Sequence, residues 1–209
     1  MTTANPQARV AKPARLALLD GDRYPLAAII LHWTIAVMIV IQLFLGWWMN
    51  EWVPDHSPQQ DQIQWFHVSL GITILLLVLL RIGIRLATPP PPVPADIAPW
   101  ERALINFSHS LFYVLLLVIP LTGWALISLD KEGPSFWGIP WPRLPGLGFL
   151  AHDRAGRHTL KSIHTYWLIW LVLLNLALHV AGALKHQFDG HPVLWRMLPG
   201  RTSTRVRTP

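Results

Sequence analysis

Five of the chain's ten histidines fall inside stretches with almost no charge: His32, His67, His109, His164 and His179. An ionisable ring in such a stretch is costly unless it faces a site or the inside of a helix bundle. Neutral imidazole is a haem-iron ligand. Two of them on one iron give a six-coordinate, low-spin centre suited to moving electrons rather than binding oxygen. The last stretch is the most informative. His164 and His179 are fifteen residues apart, which on a regular helix keeps them within roughly 60° of one direction and about 22 Å apart along the axis. A single metal cannot reach both. Two flat macrocycles stacked across a membrane can, each taking its second ligand from another helix at matching depth. His67 matches His164 at one level and His32 matches His179 at the other, so these four are the expected iron ligands. Gly71 lies one turn beyond His67 and Gly182 three residues beyond His179, where a flat ring could approach the backbone. One isolated membrane histidine would be read as an interhelical hydrogen bond; four at two matched depths favour haem. His109 lies at about the depth of His32 and ranks behind it, as a ligand, a propionate partner or a quinone contact. Arg81 and Arg85 either neutralise haem propionates or mark the membrane interface. The other histidines, His56, His152, His158, His186 and His191, fall in connections or at span ends, where most are expected to be solvated.

The elements that must hold these residues follow from composition. Of 209 residues, 52% are hydrophobic and only 13% are charged, against about 25% charged in a soluble domain. The apolar residues come in long blocks, which points to lipid rather than a water-soluble core. With no cysteine, disulfides, thiolate-held clusters, Cys-ligated zinc and covalent c-type haem are excluded. About 20 apolar residues span the hydrocarbon core as a helix. Four stretches qualify: Pro25 to Asn50, Ile63 to Leu80, Ala103 to Leu129 and Ser162 to Leu184. The expected fold is therefore an all-α membrane protein, a bundle of four transmembrane helices. No short apolar region with a small-residue cleavage site precedes the first block, which is expected to be retained. Residues 88–92 (Thr-Pro-Pro-Pro-Pro) cannot continue a helix and predict an extended connector. Pro120 predicts a kink inside the third span.

Lys and Arg set the orientation. The N-terminal tail carries Arg9, Lys12, Arg15 and Arg23, the second connection Arg81, Arg85 and Arg102, and the C-terminal tail Lys185, Arg196, Arg201, Arg205 and Arg207. The first loop holds only Glu51, Asp55 and Asp61. Both termini are thus expected in the cytoplasm, with tails at 1–22 and 189–209 around one domain at 23–188. The net charge of +6 does not indicate nucleic acid, because the basic residues flank apolar blocks, where topology and anionic lipid account for them. The third connection departs from the rule. It should face the periplasm, yet it holds Lys131, Arg143, Arg154, Arg157 and Lys161. Either it is long enough to cross despite its charge, or it forms a positive surface that concentrates a small anion.

The ordered set Arg23-Tyr24 through Leu31-His32-Trp33, His67-Val68-Ser69 with Gly71, Arg81 and Arg85 before Thr88-Pro89-Pro90, His109 through Tyr113, His164, Leu178-His179 and Leu194 to Pro199 resembles the bacterial cytochrome b561 family. The similarity runs over roughly residues 20–200. The N-terminal extension and a longer, Trp- and Pro-rich third loop depart from the family's shorter members. The resemblance implies two non-covalent haem b groups, with ligands from the first, second and fourth helices, the fourth giving two. It also implies a bacterial inner-membrane enzyme that oxidises superoxide at the periplasmic face and passes electrons to ubiquinone. Lys161, beside His164, is the cation expected to act there. The alternative that the resemblance implies is an electron-transfer subunit joining a dehydrogenase or hydrogenase partner to the quinone pool.

Overall fold

The structure is a computed structural model that describes residues 23–94, 96–150, 152–191 and 193–199. The tail at 1–22 and the basic residues Arg9, Lys12, Arg15, Arg201, Arg205 and Arg207 lie outside the described residues. Helix α1 runs Leu26–Glu51, α2 Pro58–Ala87 and α3 Pro99–Ser128. The fourth long helix is one continuous rod in three parts: α4 Arg154–Ser162, a π turn Ile163–Trp167, and α5 Leu168–Phe188. All four are long and apolar enough to cross a membrane. The chain is a four-helix membrane protein.

Each helix begins or ends where the sequence provides a reason. Ser57 caps α2 by accepting a hydrogen bond from the Gln60 amide at 3.2 Å, and Pro58 follows at the first helical position. Residues 89–94 carry no regular structure, as the proline run demands. Two helices start well before their apolar stretches. Pro58 starts α2 nine residues before His67, and the fourth rod starts at Arg154, ten residues before His164. Neither histidine therefore opens its helix. Polar residues such as Gln59, Gln60, Arg157 and Lys161 are good helix formers, so the helices extend beyond the apolar limit. Helix α3 continues through Pro120.

The packing is that of a bundle in lipid. Close contacts run from α1 to α2, α2 to α3 and α3 to α5; none of comparable closeness joins α5 to α1 or α2. Leu31 and Ile35 of α1 interlock with Ile74 and Val78 of α2, and all four are buried. Between α3 and α5 the contact is polar: Ser108 Oγ donates to Asn175 Oδ1 at 2.9 Å, and Asn175 Nδ2 donates to the Ser108 carbonyl at 3.1 Å. Away from these seams large apolar side chains point outward, among them Val37, Phe44, Leu79 and Trp170. Such a surface is stable only against hydrocarbon.

The third connection is braced. A two-residue hairpin pairs β1 (Ser135–Phe136) with β2 (Ile139–Pro140) around Trp137 and Gly138, both at positive φ, the geometry that suits strand twist. Arg143 donates to the carbonyls of Ser128, Asp130 and Lys131, and Arg157 to that of Leu129. Two of the loop's five cations thus cap the carbonyl end of α3. Lys131, Arg154 and Lys161 remain exposed.

At the other end of the bundle, the segment after α5 folds back as far as residue 199 and ends in a 3-10 turn, Leu194–Met197. His191 bonds the Asp96 carboxylate at 2.8 Å, which holds that carboxyl below its usual range. His186 is buried, with its ring centre 6.0 Å from that of His191. These two histidines, read from the sequence as lying in connections or at span ends, anchor this segment. Its fold depends on contacts with the second connection that spacing alone does not reveal.

Candidate functional site

The five span histidines converge in two groups. His67 of α2 and His164 of the π turn face each other with ring centres 6.2 Å apart. Toward the chain ends, His32 of α1 and His179 of α5 face each other at 6.3 Å. His109 of α3 stands beside His179 at 5.1 Å, and Phe112 lies edge-on to His179 at 5.3 Å. The pairs matched by depth in the sequence are the pairs brought together. Both bridge from the fourth rod to helices, α1 or α2, with which it is not closely packed.

These separations distinguish between two explanations. Two imidazoles sharing an N–H···N bond of about 2.9 Å have ring centres about 5.1 Å apart. Two imidazoles facing one metal at about 2 Å from each nitrogen have centres about 6.3 Å apart. Both pairs match the second figure, and neither is a hydrogen-bonded pair. Among the described residues no group of three or more His, Asp or Glu side chains could hold a metal ion. Each pair therefore suits a metal that brings its other ligands with it.

Hydrogen bonds fix which nitrogen is free. Thr122 donates its hydroxyl proton to the Ile119 carbonyl at 2.7 Å, so its oxygen accepts from Nδ1–H of His164 at 2.9 Å. Nε2 of His164 is left with its lone pair. His109 donates Nδ1–H to the Ile105 carbonyl at 2.7 Å, which leaves its Nε2 equally free. Nδ1 of His67 is buried without a partner. Neither His32 nor His179 hydrogen-bonds to a described residue. Partnerless rings inside a membrane protein call for a ligand.

Family-level comparison fits this arrangement. A family model for prokaryotic cytochrome b561 matches residues 23–200. The chain belongs to the prokaryotic cytochrome b561 family. Three relatives span nearly its whole length. Cytochrome b561 homolog 2 of Escherichia coli (strain K12) is 29% identical over 184 residues, covering 88% of this chain and 94% of the relative. The probable superoxide oxidase CybB of Yersinia pestis is 27% identical, with 85% and 96% covered. Cytochrome b561 homolog 1 of Escherichia coli (strain K12) is 25% identical, with 86% and 99% covered.

Cytochromes b561 are membrane b-type cytochromes, and the residues fit haem b. The donor set is neutral imidazole in facing pairs at metal-ligand spacing, and each ring of one pair lies against a glycine of a third helix. A Cβ on Gly123 of α3 would sit 2.9 Å from Cε1 of His164, and one on Gly46 of α1 would sit 3.2 Å from Cε1 of His67. Any side chain at Gly123 would push the His164 ring from its place. The glycines singled out in the sequence behave differently. Gly71 lets the Gln42 amide lie close, 3.2 Å from where a Cβ would be, and Gln42 donates to the His67 carbonyl at 2.9 Å. Gly182 faces open space.

Arg81 and Arg85 flank the pair nearer the chain ends. Arg81 donates to the carbonyl of Ala28, one turn before His32, at 2.9 Å. The Arg85 guanidinium lies 5.5 Å from the ring centre of Tyr113, one turn after His109, and both line a cavity of about 350 Å³ with Ile82, Leu86, Pro89 and Pro90. Lys161 is exposed one turn before His164, and its carbonyl accepts from Thr165. Thr122, Gly46, Gly123 and Gln42 were not found by sequence reasoning. Small and polar residues in apolar spans were the available signal, but nothing in the sequence says which face they occupy.

Thr122 gives a first test. Thr122→Val removes the acceptor for His164 Nδ1–H, and losses of this kind weaken metal binding by about 10- to 100-fold. The variant is expected to surrender one haem to an apo-haem scavenger much faster than the parent, with the other unaffected. Equal rates would show that this hydrogen bond does not orient a ligand.

Proposed function

We propose that this cytochrome holds two haem b groups, takes electrons from superoxide at the face of the third connection, and delivers them to ubiquinone at the opposite face. The observation that carries this reading is the two facing histidine pairs at ligand spacing, one toward each end of the bundle. His67 with His164 and His32 with His179 are the iron ligands. When bound, haem b supplies a one-electron centre at each level. Superoxide gives up one electron and leaves as dioxygen. Ubiquinone takes two electrons and two protons, so two superoxide anions are consumed for each ubiquinol formed.

The chain's own residues shape both ends. Arg154 and Lys161 present exposed charge on the rod that leads to His164, and a small anion needs attraction more than a binding pocket. Lys161 is the cation assigned to the substrate. His109, with free Nε2 beside His179, and Arg81 and Arg85 close the other end, where the ubiquinone site is placed. The name of the Yersinia pestis relative supports the choice of substrate. The chain is read as a multi-pass protein of the bacterial inner membrane with both termini cytoplasmic. Arg81, Arg85 and Arg102 stand at the end shared with the termini, and the first loop has only acidic residues. Residues 23–188 form the cytochrome domain, with 1–22 and 189–209 as cytoplasmic tails.

Stopped-flow absorbance of the purified protein, mixed with superoxide with and without oxidised ubiquinone, tests the reaction. The expected result is rapid appearance of a reduced low-spin b spectrum, reversed only when ubiquinone is present. A spectrum that dithionite reduces and superoxide leaves unchanged would overturn the substrate. It would point instead to an electron-transfer subunit with a redox protein partner. In the same assay Lys161→Glu is expected to slow reduction by superoxide about tenfold or more and to flatten its dependence on salt. An unchanged rate would remove Lys161 from the substrate path.

A further inference from the structure

The two histidine pairs differ in what fixes their rings. His164 is held by Thr122, whereas His32 and His179 have no hydrogen bond to a described residue. Among the described residues the orientation of His32 is left to packing, and an aromatic neighbour besides His179 is Trp33, whose ring lies edge-on at 5.2 Å and 71°. Trp33 is in turn fixed from outside the bundle. Its indole N–H donates to the carbonyl of Met197 at 2.6 Å, across 164 residues of sequence.

Met197 closes the 3-10 turn of the segment after α5, and that segment is anchored independently of Trp33 on three other elements. The Tyr24 amide donates to the Arg196 carbonyl at 3.3 Å, at the start of α1. Arg196 Nη2 donates to the Pro92 carbonyl at 3.0 Å, in the proline connector. His191 bonds Asp96 beyond it, while its amide donates to the His186 carbonyl of α5 at 2.9 Å. The Met197 carbonyl is therefore a fixed point, and an exposed indole (42%) is held to it on the flank of a histidine that lacks any such tie.

We propose that Trp33 is a positioning residue for His32, and that the segment 191–199 acts through it to set the orientation of that ring. The proposal rests on the reading that His32 and His179 hold a haem. Its chemical consequence is local: ring orientation governs overlap between imidazole and iron, and with it the magnetic and redox character of that centre alone.

The test uses the purified holoprotein in three forms: parent, Trp33→Phe, which keeps an aromatic ring and removes the N–H, and a chain ending at Gly190, which removes the segment. Low-temperature electron paramagnetic resonance separates two low-spin centres, and a redox titration reads each. The expected result is that both variants shift the g-values and potential of one and the same centre, the one lost in His179→Ala, and leave the other unchanged. Combining the two changes should shift that centre no further than the truncation alone. Unmoved signals in either stable variant, or equal shifts in both centres, would overturn the assignment. A colourless parent would instead sink the haem reading on which the proposal rests.

Discussion

Replacing His164 by alanine is expected to halve the haem content of the protein, from two groups per chain to one, and His179→Ala is expected to remove the other. The reason is geometric. Each pair faces across metal-ligand spacing, with centres 6.2 and 6.3 Å apart, so loss of either ring would leave an iron proposed there without its opposing ligand. The pairs draw on different residues of α1, α2 and the fourth rod, and share no ligand. Changes at sites this far apart act independently. Haem determination on each variant, with spectra of the residue, checks this. The double variant should be colourless. Retention of both groups in His164→Ala would refute the pairing. Loss of both would show that the levels are not separable. His109, whose ring centre lies 5.1 Å from that of His179, is too close to be the opposing ligand. His109→Ala is therefore expected to keep two haems, which separates it from His32.

The second large effect concerns a residue with no chemistry of its own. Gly123→Val is expected to abolish the haem proposed for His67 and His164 while the protein folds and keeps the one proposed for His32 and His179. A Cβ at this position would lie 2.9 Å from Cε1 of His164, closer than carbon atoms tolerate. The imidazole must move, and it is tied on its far side to Thr122. Overpacking of this kind costs about 1–3 kcal/mol, which a four-helix bundle can absorb, but a ligand displaced by even a fraction of an ångström no longer faces its partner. Gly46→Ala, with 3.2 Å to His67, should weaken the same site less. Gly182→Ala meets nothing within 4 Å and is the control expected to keep both haems. Full occupancy in Gly123→Val would mean that the His164 ring can move away without losing its role.

How far the sequence revealed this arrangement depended on which physical signal each part left. The four spans were visible because hydrocarbon demands long charge-free runs, and their depths followed from a fixed rise per residue. Matching His67 to His164 and His32 to His179 needed nothing more. Helix ends were less legible, since α2 and the fourth rod continue into water through Gln60, Arg157 and Lys161, where no apolar limit applies. The π turn at Ile163–Trp167 was not legible either. It places His164 within a bulge that takes up an extra residue, a departure common at functional sites. Thr122, Gly46 and Gly123 act across helix interfaces, so their role depends on the rotation of each helix, which a pattern of apolar residues leaves open. Gly71 and Gly182 were chosen by proximity in sequence to a histidine, yet the glycines beside His67 and His164 came from neighbouring helices. The third connection read as a run of positive charge, but Arg143 and Arg157 spend their donors on the carbonyl end of α3.

The proposal of two bis-histidine sites in one chain can be tested by direct counting. Haem b is quantified against protein in the purified parent by pyridine haemochrome, and low-temperature electron paramagnetic resonance of the oxidised sample reports spin state. Two haems per chain, both low-spin and six-coordinate, are expected from the pairs at 6.2 and 6.3 Å. One haem per chain, or a high-spin five-coordinate signal at either site, would contradict it.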